Sequence, residues 1–172
     1  MQTFPAFRHV NPGTISFGVT DIGPYYWVGH CQNGIDYYAG QTFKAPADGW
    51  LSKIKLFPSI VFGDTHTTLE IFEFNENLHT WNRKRAESTK YVSKAMEGHW
   101  ISFDINGLMV NKNKSYAFKI LCNNGGMLAI AECPWHKINP YEDGEEWIGS
   151  SQQLEGNFHK DFDLAFEGEI EP

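Results

Sequence analysis

The sequence lacks the features that mark membrane, secreted and nucleic-acid-binding proteins. No apolar run approaches the roughly 20 residues of a membrane helix, and residues 1–20 lack the basic start and apolar stretch of a signal peptide. Lys and Arg number only 14 against 21 Asp and Glu, which gives a formal charge of −7. We therefore expect no membrane insertion and no nucleic acid partner, because duplex nucleic acid and anionic lipid both require a cationic surface.

Catalytic motifs are also missing. The chain has no Gly-x-Ser-x-Gly elbow, no phosphate-binding glycine loop and no His-Glu-x-x-His. The two carboxylates of a glycosidase leave no signature in a sequence, because their separation exists only in three dimensions. We expect a non-catalytic protein without an organic cofactor, with a glycoside hydrolase as a distant alternative.

Cysteine is scarce, and the count of three is odd. An odd count argues against a full disulfide framework. In a simple hairpin, Cys122 and Cys133 would lie roughly 20 Å apart, beyond the reach of about 7 Å between the Cα atoms of a disulfide. We expect these two thiols to be free, whereas a bond from Cys31 to either one stays open.

What the sequence does contain is alternation with a period of two from residue 39 onward. With 41% hydrophobic residues, 172 residues suffice for one domain that buries about 70% of its unfolded surface. The alternation predicts short strands, each with one face in the core. The residues expected to point inward are Trp50, Ile54 and Leu56; Ile101, Phe103 and Ile105; Tyr116, Phe118, Ile120 and Cys122; and Phe162, Leu164, Phe166 and Ile170.

Three segments have more specific predictions. Asn123–Gly126 is typical of a hairpin turn, so we expect 115–122 and 127–132 to pair directly. The apolar residues of 67–74 change parity, which indicates a β-bulge or burial on both faces. Residues 82–97 fit a short helix or a long loop equally well. The resulting fold class is all-β, an antiparallel sandwich or barrel.

Residues 1–38 differ from the rest, because aromatic side chains lie among glycines and prolines with little alternation. We interpret this segment as an extended N-terminal arm that packs on its own β-sandwich domain (39–172) or on a neighbour, since so much apolar area would not stay in water. The aromatic residues expected to dock the arm are Phe4, Phe7, Phe17, Tyr25, Tyr26 and Trp27.

A succession of short blocks gives a more specific indication. These blocks are 41–54 (QTFKAPADGWLSKI), 69–72 (LEIF), 100–103 (WISF), 113–118 (NKSYAF), 140–141 (PY) and 163–166 (DLAF). In this order they resemble the jelly-roll accessory domains of bacterial surface and secreted proteins. The resemblance implies a jelly-roll β-sandwich used for adhesion, glycan contact or assembly, and it supplies no catalytic residues.

The segment 133–149 combines aromatic residues with carboxylates. Flat aromatic rings stack on sugar rings while nearby acceptors bind the hydroxyls, so this pattern indicates a glycan-binding patch. Its candidate residues are Trp135, His136, Tyr141 and Trp147. The alternative is that the two tryptophans fold the long loop onto the sandwich as a small core of its own.

Metal binding has weaker support. Acidic residues that would suit calcium are Asp143, Glu145, Asp161 and Asp163, but an ordinary solvated acidic surface is the better interpretation. Cys133 and His136 have the spacing of half a zinc site, and His30 with Cys31 would be the other half. Ordinary thiols and surface histidines are favoured, because adjacent residues on an extended segment point to opposite faces.

Two non-catalytic functions remain. In the first, the sandwich is a binding or adhesion module that contacts glycans through the aromatic loop. In the second, it is a structural subunit of a larger assembly, such as a phage decoration or tail protein, docked through residues 1–38 as a homo-oligomer or within a particle. Either function favours an extracellular surface or a particle-associated location.

Overall fold

The computed structural model describes residues 13–31 and 33–172, which form two antiparallel β-sheets packed face to face. The strands, numbered in chain order, are β1 (Ile15–Val19), β2 (Tyr25–His30), β3 (Asp36–Lys44), β4 (Gly49–Leu56), β5 (Pro58–Phe62), β6 (Thr65–Asn75), β7 (Thr80–Val92), β8 (Ile101–Asp104), β9 (Met109–Val110), β10 (Ser115–Cys122), β11 (Met127–Ala131), β12 (Glu146–Ser150), β13 (Gln153–His159) and β14 (Phe166–Glu171). A single 3-10 turn, Lys94–Met96, follows β7.

The smaller sheet has five strands in the order β1-β14-β4-β8, with β9 paired to β4. The larger sheet has the order β5-β11-β2-β3-β10-β6-β7, and β12 pairs with β3 and with β13. The core between the sheets contains the inward residues of β4, β8, β10 and β14. The predicted antiparallel β-sandwich is thus confirmed, while the jelly-roll connectivity stays a prediction.

The alternation rule succeeded on strands that are buried on one face. Phe118 and Ile120 of β10, Phe103 of β8 and Phe166 and Ile170 of β14 are all buried, as predicted. Of the two alternatives for 67–74, the structure shows burial on both faces: Leu69 and Ile71 lie in the core between the sheets, while Phe72 and Phe74 contact Trp81. The register between β6 and β7 also shifts twice, but the extra residues lie in β7, because Phe72 pairs with Lys84 and Phe74 pairs with Trp81.

The prediction of an extended arm over residues 1–38 is wrong for the described part of that segment. Strand β1 pairs along its length with β14, and β2 pairs with β11 and β3. The glycines that suggested an arm are needed inside these ladders: a Cβ on Gly18 would lie 2.3 Å from the carbonyl oxygen of Phe166, and one on Gly29 would lie 2.3 Å from that of Gly126. Phe4 and Phe7 lie outside the described residues.

Two further predictions about connections are wrong. Asn123–Gly126 does connect β10 to β11, and Gly125 and Gly126 have positive φ, but the two strands are not paired because β2 and β3 lie between them. Residues 82–97 form most of β7 and the 3-10 turn rather than a helix or a loop. Strand β7 is an edge strand with polar side chains on both faces, so it has no clear alternation.

Trp50 was predicted to point inward, yet it is 49% exposed. Opposite β4, Glu169 pairs with Lys53 while the next residue, Ile170, pairs with Leu51, so Ser52 is the extra residue of a β-bulge. The bulge shifts the parity of β4, and Leu51 takes the buried position instead. Trp50 is therefore on the outer face of the smaller sheet.

Candidate functional site

The predicted glycan-binding residues do not form one surface, because Trp147 is buried and Tyr141 is half-buried, whereas Trp135 and His136 are exposed. Trp147 is only 1% exposed, and its indole Nε1 donates to the carbonyl of Glu155 at 2.9 Å. The Tyr141 ring packs edge-on against Phe166, with the ring centroids 5.1 Å apart. Burial and the charges of nearby carboxylates raise the pKa of the Tyr141 hydroxyl. The Trp147 ring offers no face to a ligand and the Tyr141 ring packs against the core, which agrees with the alternative that the loop packs on the sandwich.

The other two predicted residues, Trp135 and His136, are exposed. Trp135 is 59% exposed, and its ring lies 5.8 Å from that of Phe162, in the connection between β13 and β14. Trp135 is therefore an exposed side chain on its own and does not form a patch with Tyr141 or Trp147.

Three glycines make the space that Trp147 occupies. A Cβ on Gly149 or Gly156 would lie 2.5–2.6 Å from atoms of the indole, and one on Gly40 would lie 3.4 Å away. Trp81 packs on the indole edge-to-face at 5.2 Å. The tryptophan that the sequence suggested as a ligand platform thus holds the β12–β13 hairpin on the larger sheet.

Asp163 was predicted on a solvated strand face, with calcium binding as the weaker alternative, but it is 1% exposed. Its Oδ1 accepts from Gln41 Nε2 at 2.7 Å, and its Oδ2 accepts from the backbone N–H of Tyr141 at 2.9 Å. Burial raises the pKa of Asp163 to about 7, although these two hydrogen bonds oppose the shift. Through these two hydrogen bonds, the Asp163 carboxylate links β3 to the loop.

Glu146 is a second buried carboxyl group, at the start of β12. Its Oε1 is buried without a hydrogen-bond donor, and its side chain is within hydrogen-bonding reach of Glu132. Burial raises the pKa of Glu146 well above its usual range, and the hydrogen bond with Glu132 and the charges of Glu132 and Asp163 act in the same direction. A proton on Glu146 allows it to donate to Glu132, which removes the unpaired acceptor.

Residues 141–145, which we call the strap, cross the end of β3. The backbone N–H of Glu145 donates to Thr42 Oγ1 at 2.8 Å, and the N–H of Thr42 donates to the carbonyl of Glu145 at 2.9 Å. A Cβ on Gly144 would lie 1.8 Å from the carbonyl oxygen of Thr42, so only glycine permits this approach. The strap is therefore fixed on the sheet and carries Glu142, Asp143 and Glu145 to one place.

The strap forms one wall of a cleft with a volume of about 300 Å³. The opposite wall comes from the end of β6 and the turn that leads to β7, with Glu76, Asn77 and His79. Thr42–Lys44, Asn139 and Lys160 also line the cleft. Four segments that are distant in the sequence thus converge on one polar concavity.

Some polar groups of the cleft neutralise each other. Lys44 Nζ lies 3.3 Å from a carboxylate oxygen of Glu76, and His79 Nε2 lies 3.1 Å from one of Glu145. The His79 ring stacks on Phe158 at a centroid distance of 5.3 Å and an angle of 26°. The cleft therefore presents both basic and acidic side chains rather than charges of one sign.

Other cleft groups are not engaged by the protein. Within residues 13–31 and 33–172, the side chains of Asn77, Asp143 and Lys160 make no hydrogen bond or ion pair, and Asn139 Oδ1 is buried without a donor. Sequence reasoning found the acidic strap but missed Asn77, Asn139 and Lys160. Single Asn and Lys residues in turns carry no signal, because only the fold brings them together.

The predicted metal sites are not assembled in the described part of the chain. There, no group of three or more His, Cys, Asp or Glu side chains is arranged to hold an ion. Of the calcium candidates, Asp163 is buried under two hydrogen bonds, Glu145 pairs with His79, and Asp143 and Asp161 are on the surface. Cys133 is buried beneath the loop whereas His136 is exposed, so the half-site does not form.

All three cysteines are free thiols. The expectation for Cys122 and Cys133 is confirmed, and the open question about Cys31 is answered, since it forms no disulfide. Burial raises the pKa of the Cys133 thiol to about 12, and nearby carboxylates contribute to this shift. Among the described residues, no helix has the length and apolarity needed to cross a membrane.

Comparisons with known proteins return distant likenesses. The chain matches no known protein family and no curated protein. Among solved structures, it is similar to a GH26-CBM35 β-(1,4)-mannanase of Podospora anserina, with 13% identity and a TM-score of 0.35 over 69% of this chain and 27% of that one. It is also similar to the VP2 protein of infectious bursal disease virus, with 11% identity and a TM-score of 0.34 over 97% of this chain and 43% of that one. The chain spans less than half the length of either protein.

Proposed function

We propose that the protein is a non-catalytic glycan-binding module whose ligand occupies the cleft beneath the strap. The observation that carries the proposal is the convergence of Asn77, Asn139, Asp143 and Lys160, none of which uses its polar side-chain group elsewhere in the described structure. A sugar hydroxyl both donates and accepts, so it suits a site where amide, carboxylate and ammonium groups meet. A volume of about 300 Å³ lies at the lower end of ligand pockets, which span about 300–1,000 Å³.

Binding without chemistry agrees with how two of the cleft carboxylates are used. Glu76 engages Lys44, and Glu145 engages His79. A glycosidase instead needs one carboxyl group to protonate the leaving oxygen and a second to activate water or attack the sugar. Release of reducing ends from a bound glycan by the full chain would overturn the non-catalytic part of the proposal.

The test is a screen of the full chain on an immobilised glycan panel, followed by titration of the strongest hit against variants. Asn139→Gly removes the side-chain amide and retains the positive φ of 48° at this position. Asp143→Asn and Lys160→Met remove one charge each. Each variant should weaken binding about tenfold, the value of one hydrogen bond to a charged or buried group.

Two matched controls change similar side chains elsewhere. Lys112→Met and Glu155→Gln remove one charge each from exposed positions that do not line the cleft. They should bind as the unmodified chain does. The proposal fails if no glycan on the panel is retained, or if the cleft variants bind as tightly as these controls.

Assembly is the second candidate function, and it rests on a different observation. In the described structure, β1 pairs only with β14, so the other edge of β1 is open to a strand from another molecule. Four large apolar side chains are each more than two-thirds exposed: Phe62, Leu78, Ile138 and Leu154. In a surface or particle assembly, neighbouring subunits would cover this strand edge and these apolar side chains.

Light scattering on the full chain, and on a chain that begins at residue 13, tests assembly. A defined oligomer that the shorter chain loses supports docking through the N-terminal segment. A monomer of 19.7 kDa in both cases contradicts it. Removing residues 1–38 is not suitable, because that deletion takes away β1, β2 and the start of β3.

A further inference from the structure

A second concavity lies on the smaller sheet, around the outward-facing Trp50. The β-bulge at Ser52 turns this indole out of the core. Bulges commonly re-aim a side chain at sites of function. In the cross-strand row on this outer face, Trp50 lies between Glu171 of β14 and Met109 of β9. The indole is thus held between two strands on a sheet surface rather than on a free loop.

The connection between β8 and β9 forms the other wall. Its Ile105 and Leu108 are buried, and they anchor the loop in the core. The N–H of Ile105 donates to the carbonyl of the bulge residue Ser52, and the N–H of Leu51 donates to the carbonyl of Leu108, both at 2.9 Å. The wall is therefore held by backbone hydrogen bonds on both sides of the bulge. It encloses about 460 Å³ together with Trp50.

Three polar side chains of this concavity are unengaged, while the Ser52 hydroxyl donates to the carbonyl of Glu169. Asp104, Asn106 and Glu171 line it, and within the described residues their side chains make no hydrogen bond or ion pair. An exposed indole therefore lies beside two carboxylates and an amide. Carboxylates accept hydrogen bonds from hydroxyls, whereas they repel phosphate, sulfate and uronic acid groups.

We propose that the Trp50 concavity is a second carbohydrate-contact site, specific for an uncharged sugar. One pyranose ring stacks its C–H face on the indole of Trp50. Its hydroxyls donate to Asp104 and Glu171, and one hydroxyl exchanges hydrogen bonds with the Asn106 amide. The inference shares its class of ligand with the proposed function, but it uses other residues on the other sheet, so either site can fail without the other.

The indole N–H resonance of Trp50 gives a direct readout. It is identified in an NMR correlation spectrum of the full chain as the signal that Trp50→Phe removes. The chain is titrated with four neutral hexasaccharides: cellohexaose, mannohexaose, xylohexaose and maltohexaose. We expect this signal to shift saturably with at least one of them. Trp50→Ala also removes this signal, so its binding is measured by isothermal titration calorimetry, and it should weaken the interaction about tenfold, which is about the energy of one ring stack.

Matched variants separate the two sites and guard against a misfolded protein. Trp135→Ala removes another exposed indole, which lies outside the concavity, and it should leave the Trp50 shift unchanged. Asp104→Asn and Asn106→Ala change exposed side chains only, and each should weaken the shift. Asn139→Gly, in the cleft of the larger sheet, should leave it intact.

Three results would overturn the inference. The first is a Trp50 signal that moves with none of the four sugars. The second is a shift that Asp104→Asn and Asn106→Ala leave unchanged. The third is a larger saturable shift with tetramethylammonium, which would make the concavity a cation site, because an indole beside carboxylates also attracts cations. If Asn139→Gly weakens glycan binding but the Trp50 shift is unchanged, the result concerns the cleft and not the Trp50 concavity.

Discussion

Gln41 Nε2 donates to Asp163 Oδ1 at 2.7 Å, although 122 residues separate the two in the chain. Both side chains are buried, with exposed fractions of 0% and 1%. The amide is used at both ends, because Gln41 Oε1 accepts from the backbone N–H of Leu164 at 2.9 Å. This pair joins β3 to the segment before β14, so it connects the larger sheet to the chain that enters the smaller one.

The first prediction concerns this pair. Gln41→Leu leaves the Asp163 oxygen and the Leu164 N–H without one partner each inside the protein. We expect a loss of about 2–4 kcal/mol of unfolding free energy, the cost of two buried groups left unpaired. Urea denaturation measures it as a lower midpoint at an unchanged slope.

The control for this prediction is Gln153→Leu at an exposed position of β13. It should change the unfolding free energy by no more than about 0.5 kcal/mol. If the two variants were equally stable, the buried amide would have no role in holding the sheets together.

The second prediction concerns pH. Burial raises the pKa of Glu146 above its ordinary value of 4.5, and that of Asp163 from 3.8 to about 7. The folded protein therefore retains protons that the unfolded chain releases. This contribution to stability is complete below pH about 4 and is lost as the pH rises through the folded-state pKa values, between about 4 and 7 for Asp163 and further upward for Glu146.

Glu146→Gln keeps the hydrogen-bond donor to Glu132 and removes the titration. We expect this variant to lose less stability than the unmodified chain as the pH rises from about 5 to 8, where each retained proton contributes up to about 1.4 kcal/mol per pH unit. Denaturation midpoints over this range provide the measurement, with the exposed Glu87→Gln as the control. Parallel pH profiles for Glu146→Gln and the unmodified chain would contradict the assignment.

The third prediction tests the space that glycine provides for Trp147. Gly156 has a φ of +59°, and a Cβ there would lie 2.6 Å from the indole and 2.3 Å from the carbonyl oxygen of Ile148. Gly98 has a similar φ of +73°, with nothing within 4 Å of its added Cβ. Gly156→Ala should therefore lower the unfolding free energy by about 2–4 kcal/mol, and Gly98→Ala by only about 1 kcal/mol.

Thermal unfolding of both glycine variants measures this difference. Because the backbone cost is similar at the two positions, the difference between them reports the clash with the β12–β13 hairpin. Equal effects would show that both the Trp147 indole and the Ile148 carbonyl move aside freely, and they would contradict the tight packing at Gly156.

The fourth prediction concerns the thiols. Cys122 and Cys133 are buried, and burial raises the pKa of both, while Cys31 is partly exposed. Because the thiolate is the reactive form, an aromatic disulfide reagent at pH about 8 should label one thiol in the folded protein and three after denaturation. Cys31→Ser should remove the fast phase alone. Rapid labelling of two or more thiols in the native state would contradict the packing described here.

The candidate site was only partly predictable. The acidic residues of 142–145 do line a cleft, and their position in a long loop pointed to them. The aromatic half of the same loop was misjudged, because hydrophobic side chains beside carboxylates look alike in a sequence whether they bind a ligand or pack on the sheet. What distinguishes Trp147 from Trp135 is the space beside Gly149 and Gly156, which lies across a strand pair.

The sequence by itself determined the fold class and the inward faces of regular strands, such as Phe103, Phe118 and Phe166. One buried face imposes a period of two on the residues of a strand, and that period is local. Tertiary structure alone decided which strands pair, that β2 and β3 separate β10 from β11, and that β1, β2 and the start of β3 belong to the sheets. It also decided that Asp163 is inside and Trp50 outside. These outcomes depend on one bulge, on backbone approaches that only glycine allows and on partners more than 100 residues away, none of which leaves a periodic trace in the chain.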